Sequence, residues 1–151
     1  MSTSPWFRRG NGDEYKATPA LWRMLVEAGW QGTPELKMLC GGEALNSALA
    51  ADLLTRGGEL WNLYGPTETT IWSAALRVEP SLLDPPSVPV GGPISNTQIY
   101  ILDAHGAPVP IGVTGELYTS GAGVARGYLN RPKGSKPFSA LRRSARQAVL
   151  T

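Results

Sequence analysis

The sequence predicts an α/β fold in which a partial layered α/β subdomain is followed by a β-rich subdomain. Three observations predict it. Amphipathic helical stretches alternate with short apolar runs from Ala17 to Leu63, the rhythm of parallel strands covered by helices. After Ile71 the segments SAALRV, TQIYIL and GELYTS are strand-like and separated by Pro- and Gly-rich loops, with no further amphipathic helix ahead of the tail. Eighteen Gly and thirteen Pro among 151 residues, many of them in GG, GP and PP pairs, mark frequent turns between short elements.

Each element has a local reason. Thr18 and Pro19 read as N-cap and first helical residue ahead of Trp22, Leu25 and Val26 at helical spacing, and Gly29 closes that helix. Leu36–Cys40, LKMLC, lies between a PE and a GG and reads as a short strand, apolar on both faces as in the interior of a parallel sheet. Asn46 caps a second helix with Leu49, Leu53 and Leu54 on one face and Gly57 past its end. Glu59–Leu63, ELWNL, is a second interior strand, ended by the turn signal YGP. DAHGAP between Leu102 and Val109 reads as a hairpin connection.

Composition narrows the classes of function. The net charge of +2 resolves into a mildly acidic centre and basic ends: residues 17–132 hold six Lys or Arg against ten Asp or Glu, whereas residues 133–151 hold five against none. Nucleic-acid binding calls for cations clustered on a folded face, so no nucleic-acid partner is expected. There is no apolar run long enough to span a bilayer and no signal-peptide core in MSTSPWFRRGNGDEYK, so a cytoplasmic protein without membrane contact is expected. Cys40 and His105 stand alone, which disfavours a soft-ligand metal site. Cys40 reads as a small buried residue ending a strand, and His105 as a solvated loop residue.

The chemistry concentrates in NLYGPTETT, Asn62–Thr70. An apolar strand runs into an aromatic, a Gly-Pro turn, and hydroxyls around one carboxylate. This suits a nucleotide-phosphate site at the C-terminal end of a strand, where open α/β sheets place ligands. Tyr64 offers a face for a purine. Thr67 offers a hydroxyl to a phosphate oxygen, and Glu68 a hard oxygen to Mg²⁺. The alternative is a capped turn with Thr67 as N-cap and Glu68 solvated.

The stretch ATPALWRMLVEAGW, LKMLCGGEAL, ELWNLYGPTETTIWSA, VPVGGPISNTQIYILD and GELYTSGAGVARGYLNRP closely resembles the middle of an amino-acid adenylation domain of nonribosomal peptide synthetases, in the AMP-forming acyl-adenylate superfamily. The resemblance covers residues 17–132, sets them apart from a head, 1–16, and a basic tail, 133–151, and implies a fragment of a larger adenylate-forming fold. It implies ATP and Mg²⁺ as cofactors, an amino acid as substrate and a peptidyl carrier domain as partner. Tyr64 then stacks on adenine, the Asn62 backbone region meets its exocyclic amine, and Gly42, Glu43 and Ala44 form the opposite wall of the adenine slot. Thr67 contacts the α-phosphate and Glu68 holds Mg²⁺. The substrate carboxylate is ionised at neutral pH and needs no general base, so positioning and charge stabilisation carry the reaction.

The same resemblance assigns Leu39, Gly41, Leu63, Ile71 and Trp72 to the amino-acid pocket, plain core positions being the alternative. Its bulky walls exclude a large side chain and match the family's pattern for glycine. GELYTSGAGVARGYLNRP receives no catalytic group, and Arg126 and Arg131 read as arginines paired within the β-rich part. The family also uses an upstream Ser/Thr/Gly-rich phosphate loop and a downstream TGD segment, neither of which occurs in these 151 residues, so the chain alone is expected to be inactive. A degenerate remnant or interaction protein is the alternative outside enzymes. An acyl-CoA or fatty-acyl-AMP ligase is the alternative within them.

Overall fold

The computed structural model describes residues 14–130, which divide into two compact units. One holds residues up to Asn62 together with Arg77–Val88, the other Leu63–Leu76 with the residues from Pro89 onward.

The first unit opens with strand β1, Glu14–Ala17, and helix α1, Pro19–Glu27. The sequence reading places Glu14–Lys16 in the head, yet they lie in parallel register with Lys37–Leu39. The Thr18 hydroxyl accepts from the Leu21 N–H at 3.3 Å, as the cap reading expects. At the other end the Gly29 N–H donates to Val26 C=O and the Trp30 N–H to Leu25 C=O, each at 3.0 Å. This is the Schellman pattern, which needs the positive φ that Gly29 adopts at 83°. Trp22 is fully buried, edge-on to Tyr15 with centroids 5.3 Å apart and 5.4 Å from the ring of Trp30, and its indole N–H donates to Leu39 C=O.

Strand β2, Thr33–Gly41, is longer than expected and alternates: Leu36, Met38 and Cys40 are buried, Lys37 is exposed and Leu39 half-buried. Strand β3, Gly57–Tyr64, behaves alike, with Leu60 and Asn62 buried and Trp61 and Leu63 half-buried. The expectation of strands apolar on both faces is therefore corrected. One face carries the core, and the other carries the Glu59 carboxylate with Lys37 at 3.8 Å and Arg77 at 3.5 Å. The Trp61 indole N–H, ahead of both cations, holds the Glu59 carboxyl below its usual range.

Helix α2, Ser47–Leu54, starts where expected, the Asn46 side chain accepting from the Ala48 N–H at 2.8 Å. Leu49 and Leu53 are buried and Leu54 half-buried. Gly57 lies past the end of this helix, as expected, and opens β3. Thr55 and Arg56 close the helix by donating to Asp52 and Leu53 carbonyls, and Arg56 further bonds Trp30 C=O and the Asp52 carboxylate.

Strand β4, Ala74–Arg77, and the two-residue β5, Gly92–Pro93, complete a five-stranded sheet of order β1-β2-β3-β4-β5. SAALRV thus extends this sheet instead of starting a separate β part. In the second unit β6, Thr97–Leu102, pairs antiparallel with β7, Glu116–Gly121. The DAHGAP turn is as expected: the Asp103 carboxylate accepts from the His105 and Ala107 amides at 2.8 and 2.9 Å, leaving His105 exposed.

Cys40 confirms its structural reading. Burial, with the Glu43 carboxylate adding to it, pushes the thiol up from about 9 to about 12. Two outcomes follow. At pH 8 a disulfide reagent should modify Cys40 only after denaturant is added. Stability should also fall as pH rises from about 9 towards 12, because the unfolded chain loses the thiol proton first. Cys40→Ala should flatten that fall; identical alkaline melting of both proteins would contradict it.

Candidate nucleotide-binding site

The residues picked out from the sequence fall in both units, and each group has its own scaffold. In the first unit, β2 ends at the buried Gly41 and delivers the exposed Gly42, Glu43 and Ala44 ahead of the buried Leu45. The stretch after them is braced by residues 85–88. Val88 N–H donates to Leu45 C=O at 2.8 Å, Ser47 N–H to Pro86 C=O at 3.2 Å, and the Ser47 hydroxyl to Pro85 C=O. Val88 C=O accepts from the Asn62 side-chain amide at 3.4 Å. One residue therefore fixes both Asn62, on β3, and the turn that follows Ala44. Sequence reasoning missed this brace, since SVP, Ser87–Pro89, has no signal beyond that of a loop.

In the second unit, residues 64–73 form a loop closed on itself. Ser73 N–H donates to Tyr64 C=O at 2.7 Å across its mouth. Inside, Thr69 Oγ1 donates to Pro66 C=O at 3.1 Å and lies 2.5 Å from Ser73 Oγ, with Thr69 and Ser73 both buried. A side chain at Gly65 would meet the Ile71 carbonyl oxygen and come within 2.6 Å of Trp72 Cα, so the loop closes this tightly only on glycine. Thr67–Thr69 form a single 3₁₀ turn whose preceding residue is Pro66, with no side-chain cap. The alternative in which Thr67 serves as N-cap is thereby corrected, and Thr67 is exposed.

Glu68 is half-buried; Tyr128 Oη donates to its Oε1 at 2.7 Å, and its main-chain carbonyl accepts from the Ala125 N–H at 2.7 Å. Tyr64 is half-buried at the end of β3. Thr70 and Ile71 both have positive φ, 61° and 75°, which is uncommon for β-branched residues and typical of strained functional loops. Of the residues assigned to the amino-acid pocket, Ile71 is 59% exposed, Leu39, Leu63 and Trp72 are half-buried, and Gly41 is buried. Arg126 is exposed and makes no ion pair among the described residues, which corrects its expected pairing, and Arg131 lies outside them.

Among the described residues no group of three or more His, Cys, Asp or Glu could hold a metal ion by itself. No helix among the described residues is long and apolar enough to cross a membrane.

The family model for the AMP-binding enzyme matches residues 14–129, taking in every element from β1 to the loop after β7. The chain belongs to the AMP-binding enzyme family. It is similar to a dimodular nonribosomal peptide synthase of Bacillus subtilis strain 168, 52% identical over 117 residues. A PKS-NRPS hybrid synthetase of Aspergillus niger, ATPKS, is 50% identical over 121 residues. These alignments cover 78% and 80% of this chain but only 5% and 6% of the relatives. Among solved structures, the four-domain nonribosomal peptide synthetase AB3403, bound to AMP and glycine, superposes with a TM-score of 0.79 at 42% identity, covering 87% of this chain and 10% of that one. PA1221, which contains adenylation and PCP domains, gives 0.72 at 28% identity, over 86% of this chain and 29% of that one. This member of the AMP-binding family is thus a segment of a nonribosomal peptide synthetase adenylation domain.

Proposed function

We propose that the chain supplies nucleotide- and amino-acid-binding residues for ATP-dependent amino-acid activation. In that reaction a carboxylate oxygen of the amino acid bonds to the α-phosphorus of ATP, and the bond to the leaving pyrophosphate breaks. The observation that carries the reading is the closed loop of residues 64–73, in which Thr67 is exposed and the neighbouring Glu68 has its carboxylate held by Tyr128.

Tyr64 stacks on the adenine, Thr67 binds the α-phosphate, and Glu68 holds Mg²⁺, which neutralises charge on the phosphates when bound. From the first unit, Gly42, Glu43, Ala44 and the backbone around Asn62 take the adenine-binding role that the family resemblance gives them. Leu39, Gly41, Leu63, Ile71 and Trp72 select the amino acid. Glycine as that substrate is supported by the resemblance of this set and by AB3403, whose structure holds AMP and glycine. The peptidyl carrier domain that accepts the activated amino acid is the proposed partner, supported by PA1221, in which adenylation and PCP domains share one chain.

Calorimetric titration of ATP into the chain tests the nucleotide role. Base stacking on an aromatic is worth about 1–3 kcal/mol, so Tyr64→Ala should weaken ATP binding by about 5- to 150-fold, with Tyr64→Phe close to the parent. Equal affinity for the parent and Tyr64→Ala would remove Tyr64 from the site.

A further inference from the structure

The GAGVARGY stretch, Gly121–Tyr128, has more to do than supply flexible backbone. It meets the 64–73 loop at three points within the second unit. Thr70 Oγ1 donates to Gly123 C=O at 2.6 Å, Ala125 N–H donates to Glu68 C=O at 2.7 Å, and Tyr128 Oη donates to Glu68 Oε1 at 2.7 Å. The first holds the side chain of Thr70, itself the first of the positive-φ pair Thr70–Ile71, and the second holds the backbone of Glu68 on the other side of Thr69. The third reaches the carboxylate itself, although Tyr128 is 53% exposed and lies 60 residues further along the chain.

A glutamate on a surface turn samples several rotamers, and a cation that binds it must select one. A phenol bonded to one carboxylate oxygen makes that selection beforehand, and the two oxygens together retain acceptor capacity for a cation. Groups that orient a metal-binding side chain in this way set metal affinity without touching the metal. We infer that Tyr128 is a positioning residue for the Glu68 carboxylate, with Gly123 and Ala125 fixing the loop from which that carboxylate projects. This rests on the reading of Glu68 as the cation ligand.

The test uses the whole 151-residue chain with ATP and Mn²⁺ as the probe, comparing ATP affinity with and without the metal and counting bound Mn²⁺ by electron paramagnetic resonance. Tyr128→Phe should leave metal-free ATP binding at the parent value and reduce Mn²⁺ affinity by about tenfold or more. Glu68→Gln should abolish the metal-dependent part. If Tyr128→Phe keeps the full Mn²⁺ affinity while Glu68→Gln loses it, the positioning role is overturned and the metal role of Glu68 stands. If Glu68→Gln also keeps it, the metal role falls and the inference with it. A second readout needs no change at Tyr128. In the parent chain the Tyr128 ¹³Cζ resonance should move when Mg²⁺ is added to the ATP complex, and Glu68→Gln should suppress that movement; a resonance insensitive to Mg²⁺ overturns the inference.

Discussion

Alanine in place of Trp22 is expected to cost the first unit about 3–5 kcal/mol, the range for emptying a buried tryptophan site. Its ring is fully buried and packs against Tyr15 of β1 and Trp30 just beyond α1, so the substitution removes contacts that join three segments. It also leaves the Leu39 carbonyl without the indole N–H that now serves it at 3.3 Å. Domains of this size are stable by about 5–15 kcal/mol in total, so the loss is a large share of the whole. Leu39 lies two residues before Gly41, so the strand that delivers Gly42–Ala44 should loosen with it. Urea unfolding followed by near-ultraviolet circular dichroism measures this. A midpoint shift worth less than about 1 kcal/mol, against that expected range, would show that the cluster is not central to this unit.

The second large effect is expected at Gly65. Any β-carbon there meets the backbone of Ile71 and Trp72, 2.8 Å from the Ile71 carbonyl carbon and 2.6 Å from Trp72 Cα, and backbone cannot swing aside as a flexible side chain can. Gly65→Val should therefore force the loop open at its Tyr64–Ser73 hydrogen bond. Such overpacking typically costs about 1–3 kcal/mol. The larger consequence concerns ligand, because Tyr64, Thr67 and Glu68 all take their positions from that closure. ATP affinity should fall at least as far as in Tyr64→Ala, while β6 and β7 keep their amide-exchange protection. Parent-like ATP binding by Gly65→Val would separate the loop from nucleotide recognition.

How much of this was legible in the sequence depended on how local the determinant was. The caps at Thr18 and Asn46, the Gly29 terminus and the DAHGAP turn are each set by residues within a few positions, and each was readable. The bond from the Arg56 side chain, just past α2, to Trp30 C=O, 26 residues away, had no such local sign. Strand β1 was missed because EYKA has no pattern of its own and becomes a strand by pairing with Lys37–Cys40. The faces of β2 and β3 were misread because Leu39, Trp61 and Leu63 are apolar yet only half-buried, opposite a properly alternating core.

The same distinction holds at the site. The aromatic, Gly-Pro turn, hydroxyls and carboxylate of NLYGPTETT announce themselves within nine residues. Their supports do not: Val88 serves Asn62 across 26 residues, Gly123 serves Thr70 across 53, and Tyr128 serves Glu68 across 60. Only folding brings such partners together, and a glycine-rich stretch carries no sign of which carbonyl will be used.

ATP binding through the loop of residues 64–73 remains the proposal on which the function rests. Titrating ATP into the ¹⁵N-labelled chain and following the amide resonances tests it most directly. Shifts are expected to concentrate at Tyr64, Gly65, Thr67 and Glu68, with a second set at Gly42–Ala44, while α1 and the DAHGAP turn stay quiet. Shifts confined to α1 or to that turn, or a folded chain unmoved by millimolar ATP, would contradict it.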